Sequence, residues 1–143
     1  MQANERQLVV IITLKVKLDT DWSVDLEFID LSTLEDVHRA IQRAVEFDDE
    51  HFYEFYVARN QYSRTRTVYD GENGNDDYTR LCDIFPLPAK HYLFYVYDFG
   101  ASWVFKISRT RKSPFEPIDG VEYPRVVNES GEKPVQYDFE DDD

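Results

Sequence analysis

The chain opens on a strict alternation. Over residues 8–18 one set of positions, Leu8, Val10, Ile12, Leu14, Val16 and Leu18, is apolar throughout, while the other turns polar at Thr13, Lys15, Lys17 and Asp19. A period of two is that of a strand with one buried face. The apolar Val9 and Ile11 predict that its first half is buried on both. After the turn signal Asp19-Thr20-Asp21, Trp22, Val24, Leu26 and Phe28 alternate with Ser23, Asp25 and Glu27, which predicts an antiparallel partner. The period then lengthens. Leu34, Val37, Ile41, Ala44 and Val45 recur on one helical face, with Glu35, Asp36, Arg39, Gln42 and Arg43 mostly outside. Ser32-Thr33-Leu34-Glu35 reads as a capping box with Ser32 as the cap, so the helix is expected over residues 33–47.

Further on, HFYEFYVA at residues 51–58 predicts a third strand. DGENGNDD at residues 70–77 reads as a mobile surface loop. Residues 78–85 predict a short helical turn closed by Pro86 and Pro88. The fourth and fifth strands fall at residues 92–98 and from residue 102 to about residue 110, joined by Asp98-Phe99-Gly100. In that turn Asp98 is expected to bond the following amides and Gly100 to supply a positive φ. From Lys112 on, the chain carries four of its six prolines and is expected to wrap the surface. The order ββαβ–ββ predicts an α+β fold, a two-layer sandwich in which one main helix covers a mixed or antiparallel sheet of about five strands. A β-grasp-like arrangement is compatible with that order. One domain over residues 1–137 would be followed by an acidic, disordered tail at residues 138–143.

Composition narrows the function. Twenty-nine acidic against 16 basic residues give a net charge of −13 in 143 residues, which disfavours a nucleic-acid partner, since phosphate binding needs a positive face. The one local basic concentration, Lys106, Arg109, Arg111 and Lys112, reads as a solvated strand end. A single cysteine, Cys82, excludes an internal disulfide and fits a cytoplasmic protein. Between apolar neighbours it is expected to be a small buried hydrophobe. No apolar run reaches membrane-spanning length.

Chemistry-bearing motifs are absent: the chain has no Gly-rich phosphate loop, no G-x-S-x-G and no H-E-x-x-H, and no cofactor is called for. Of the three histidines, His38 reads as a hydrogen-bonded structural residue. His51 with Asp98 is the best pair for a metal or acid–base site, with His38 as a third candidate, although a metal centre normally takes three protein ligands. Trp103, Phe105 and Ile107 share one strand face and are expected in the core. Tyr92, Phe94, Tyr95, Tyr97, Phe52, Tyr53, Phe55 and Tyr56 exceed what one core face can take. The surplus predicts an outward aromatic surface beside a sparse basic strand, suited to a protein partner. Tyr53, Tyr95, Tyr97, Asp98 and Trp103 are the candidate binding residues.

A set of motifs in fixed order adds a family to this reading. Thr33-Leu34, Val37-His38 and Ile41-Gln42 on the helix precede His51 and Phe55. Tyr97-Asp98-Phe99-Gly100 with Trp103 follows, and then Tyr123-Pro124-Arg125. Together they resemble the Ri-plasmid ORF-three-like family, found on plasmids and beside transposable elements, over roughly residues 8–137. The chain departs from that family's usual pattern at four places: Ala101 stands for an Asp, Phe105 for a His, Tyr53 for a His and Val126 for a Cys. Three functions are therefore carried forward. The first is a non-catalytic cytoplasmic protein-binding module. The second is a metal- or small-molecule-binding enzyme with a degenerate site at His51 and Asp98. The third, implied by the resemblance, is a mobile-element accessory acting on DNA.

Overall fold

A computed structural model describes residues 8–70 and 77–137. The expected tail and nearly all of the expected loop at residues 70–77 lie outside the described residues. The elements run β1 (Ile11–Lys17), β2 (Ser23–Ile29), α1 (Leu34–Val45), β3 (Tyr53–Ala58), β4 (Thr67–Asp70), α2 (Leu81–Ile84), β5 (Tyr92–Tyr97), β6 (Trp103–Arg109) and β7 (Arg125–Ser130). All seven strands join one sheet in the order β4-β3-β5-β6-β1-β2-β7, and every pairing is antiparallel.

The expected two-layer sandwich of about five mixed or antiparallel strands and one main helix is thus corrected to a seven-stranded antiparallel sheet with minor helical content. The β-grasp-like option falls with it. The two additional strands are the edges. Thr67–Asp70 has only four residues and no long alternation to announce it. Arg125–Ser130 is mostly exposed, so its sequence lacks the apolar period that marks a buried strand. It pairs with β2 across a register shift between Asp25 and Leu26. Beyond it Gly131, at φ +84°, lies against the Asp21–Trp22 backbone, where a Cβ would stand 2.3 Å from the Asp21 carbonyl oxygen.

The α1 boundary is also shifted. Thr33, not Ser32, caps the helix: its side chain accepts from the Asp36 amide, and the Asp36 carboxylate accepts from the Thr33 amide. The helix ends at Glu46 in the left-handed conformation, φ 61°. Its inner side buries Leu34, Val37, Ala40, Ile41 and Val45 against one face of the sheet, and the same side carries the polar His38 and Gln42, each 4% exposed. Gln42 is therefore inside rather than outside. Cys82, expected to be buried, is exposed. At the β5–β6 turn the positive φ values belong to Asp98 (62°) and Ser102 (59°), not to Gly100. The Asp98 carboxylate does accept from the Ala101 amide, as the turn chemistry predicts.

On the helix-covered face Trp22, Phe28, Phe55, Tyr95, Tyr97 and Phe105 are fully buried. Tyr56, Ala58 and Phe94 make a smaller buried cluster on the opposite face. No helix among the described residues is long and apolar enough to cross a membrane.

Candidate functional site

Two arrangements of polar and charged side chains stand out, one on each face of the sheet. The first lies under the C-terminal end of α1. Register places Tyr53 opposite Tyr97 and Tyr97 opposite Trp103 on neighbouring strands, and His38 descends onto them from the helix. Its ring stacks on Tyr53 at 3.7 Å between centroids. Gln42 Nε2 donates to the Tyr95 hydroxyl at 3.0 Å. That hydroxyl lies 2.5 Å from His38 Nδ1, and His38 Nε2 lies 2.6 Å from Asp49 Oδ1. One proton assignment satisfies the whole chain: Gln42 donates to Tyr95, Tyr95 to Nδ1, and Nε2–H to the Asp49 carboxylate. Gln42 Oε1 accepts from the Asp49 amide and closes the ring. Burial holds the Tyr95 phenol well above its ordinary pKa, so it stays a neutral donor.

Beside this ring, Asp48 gathers donors. Its Oδ1 accepts from Tyr97 Oη at 2.8 Å and Gln136 Nε2 at 2.9 Å, and its Oδ2 from Tyr137 Oη at 2.5 Å. These bonds, Tyr137's foremost, hold the Asp48 carboxyl well below the usual carboxylate range. The bond to Asp48 in turn pushes the Tyr137 phenol up to about 12, while burial and then the same carboxylate push Tyr97 to about 12. Tyr97 Oη also accepts from the Glu50 and His51 amides. His51 Nε2 is 3.0 Å from Tyr137 Oη and 3.6 Å from Asp98 Oδ2.

A pH dependence follows with a definite sign. Both phenols have folded pKa values raised from 10.0, so their contribution to stability is complete below pH 10.0 and is lost as pH rises through about 12. Asp48 is shifted the other way, so its contribution is present above 3.8 and declines as pH falls below that value. Thermal melts across the alkaline range should show a stability loss that Tyr137→Phe reduces.

The sequence candidates therefore converge, but as a packed network. Tyr95 and Tyr97 are 0% exposed and cannot form the outward aromatic surface expected of them. Tyr53 is half-buried against His38. Trp103 is partly buried, 5.0 Å from the Phe47 ring, and Asp98 belongs to its turn. His38 engages Tyr95 and Asp49, whereas His51 faces Tyr137 and Asp98. Among the described residues no group of three or more His, Cys, Asp or Glu side chains could hold a metal ion. Two aromatic side chains pack this network into the core. Tyr53 supplies the ring under His38, and Phe105 lies 5.4 Å from Tyr95 and 6.3 Å from Trp22. Sequence reasoning missed Gln42, Asp49, Gln136 and Tyr137. The last two join Asp48 across 88 and 89 positions, a separation no local pattern signals.

The second arrangement is on the opposite face. Pairing aligns Lys17 with Lys106, Lys106 with Phe94, and Phe94 with Tyr56, a row across β1, β6, β5 and β3. Two adjoining grooves of about 260 and 220 Å³ run over it, and Phe94 and Lys106 line both. Arg59 and the 80%-exposed Tyr62 flank the first, and Asp19 is shared. Lys106 Nζ sits 4.0 Å above the Tyr92 ring, and the Arg66 guanidinium 3.9 Å above Tyr56. Of the expected basic cluster only Lys106 lies here. Lys112 pairs instead with the buried Glu27, which Arg125 also holds at 2.7 Å.

No curated protein matches the chain. Its fold is similar to that of a protein of unknown function, MM3350, from Methanosarcina mazei Go1, whose crystal structure matches with a TM-score of 0.69. The match has 22% sequence identity and covers 86% of this chain and 71% of that one. The sequence profile of the plasmid pRiA4b ORF-3-like proteins matches residues 11–141, and the chain belongs to that family.

Proposed function

We propose that this domain is a non-catalytic, cytoplasmic protein-binding module, and that its partner is an acidic segment laid across the outer face of the sheet. One observation carries the reading: Lys17 and Lys106 stand directly opposite each other on β1 and β6, above a groove floored by Phe94. Like charges directly opposed across strands are destabilising, and neither lysine pairs with a carboxylate among the described residues. Carboxylates of a bound segment would neutralise both. Arg59 extends the positive rim, and Tyr62 offers an exposed ring of the kind enriched at binding hot spots. The charge of −13 on the whole chain opposes any anionic partner at long range, so binding must rest on contacts made within the groove.

Fluorescence anisotropy with a labelled peptide rich in Glu and Tyr tests this. The full chain should bind it, and Lys106→Glu should weaken binding by about tenfold or more, the scale of a reversed interfacial charge. A flat titration would sink the proposal. A single-stranded oligonucleotide that binds more tightly than the peptide would replace it with the mobile-element reading, since stacked aromatics beside cations also suit single strands.

A further inference from the structure

We propose that residues 132–137 form a displaceable strap, latched on Asp48, whose lifting uncovers His51 and Asp98. The strap follows β7 directly, beyond Gly131, and crosses to the connector between α1 and β3. Its fastening is polar. Lys133 Nζ bonds Glu46 Oε2 at 2.9 Å. Gln136 makes a reciprocal pair with Asp48, accepting from the Asp48 amide at 2.8 Å and donating to Oδ1. The Tyr137 hydroxyl sits between Asp48 Oδ2 and His51 Nε2. Val135 is 68% exposed and Tyr137 45%, so little apolar area holds the segment down. Segments with few buried apolar contacts and exposed hydrogen bonds open at the low end of the free-energy range, without global unfolding.

The contacts beneath the strap do not depend on it. Tyr97 keeps its bonds from the Glu50 and His51 amides and to Asp48. With the strap lifted, the imidazole of His51 loses its contact with Tyr137 and remains 3.6 Å from Asp98, open to a ligand hydroxyl in place of the tyrosine's. This seat is on the helix-covered side of the sheet and is independent of the lysine groove.

Diethyl pyrocarbonate modification of the full chain, followed by peptide mass spectrometry, reads the latch at His51 with His91 as the internal reference. His51 should react more slowly than His91 in the unaltered protein. Tyr137→Phe, which removes one exposed hydroxyl, and Gln136→Ala should each raise the His51 rate by about tenfold, the change expected when a local closure weakens. The far-ultraviolet circular dichroism spectrum and the His91 rate should stay unchanged, even where the melting temperature falls with the lost bond to Asp48. Equal His51 rates in all three proteins would overturn the proposal, as would loss of the whole sheet in both variants.

Discussion

Trp22→Ala is expected to lower folding stability by about 4 kcal/mol, within the range for truncating a fully buried tryptophan. Trp22 is 0% exposed, meets Phe105 edge to face at 6.3 Å, and donates from Nε1 to Glu129 Oε2 at 2.8 Å. The substitution therefore does two kinds of damage. It opens a cavity where β1, β2 and β6 share the inner core. It also frees the carboxylate that ties the edge strand β7 to the sheet. Urea denaturation followed by circular dichroism measures the total. Trp22→Phe separates the parts, since it refills most of the volume and restores no bond. It should recover over half of the loss, with β7 amides still exchanging faster than in the unaltered protein. An alanine variant less than about 1 kcal/mol destabilised would contradict the packing described for this residue.

His38→Ala should cost about 3 kcal/mol, the sum of a lost buried ring and of a buried donor left unmatched. The Tyr95 hydroxyl would keep Gln42 Nε2 as a donor but lose the nitrogen that accepts its proton. Asp49, already at φ 55°, would lose its imidazole partner. Tyr53 would lose its stack. The whole connector from α1 to β3 should loosen, seen as faster amide exchange at residues 48–51. Tyr95→Phe in the same background should add little, because the two residues act through one bond and their effects should be strongly non-additive. Additive losses would mean that the ring of bonds from Gln42 to Asp49 is not a unit.

The central sheet was legible because its strands alternate. Residues 11–17 and 23–29 pair as their pattern requires, with Ile11 and Ile12 buried on opposite faces, but the expected start of the buried face fails at Leu8, which is 82% exposed. The helix was placed within two residues at each end, though Thr33 takes the capping role because Asp36 rather than Glu35 reaches back to it. The edges were not legible. Most β7 side chains meet solvent, so hydrogen bonding to β2 makes Arg125–Ser130 a strand without any burial period in its sequence. The aromatic surplus was real, but its destination was misread. Tyr53, Tyr95 and Tyr97 all point to the helix side, where His38 and Gln42 bond the Tyr95 hydroxyl, Asp48 and the Glu50 and His51 amides bond that of Tyr97, and the His38 ring stacks on Tyr53. A histidine and a glutamine four apart on an otherwise apolar helical face carried that signal. The outer groove could not be read at all, since it depends on the register that sets Lys17 against Lys106.

The account turns on that groove, and backbone amide shifts of the isotope-labelled full chain, titrated with the peptide rich in Glu and Tyr, test it most directly. The predicted shifts cluster at Lys17, Tyr62, Phe94 and Lys106 and vanish in Lys106→Glu. Shifts confined to residues 46–51 and the C-terminal strap, or none in any part of the chain, would contradict it.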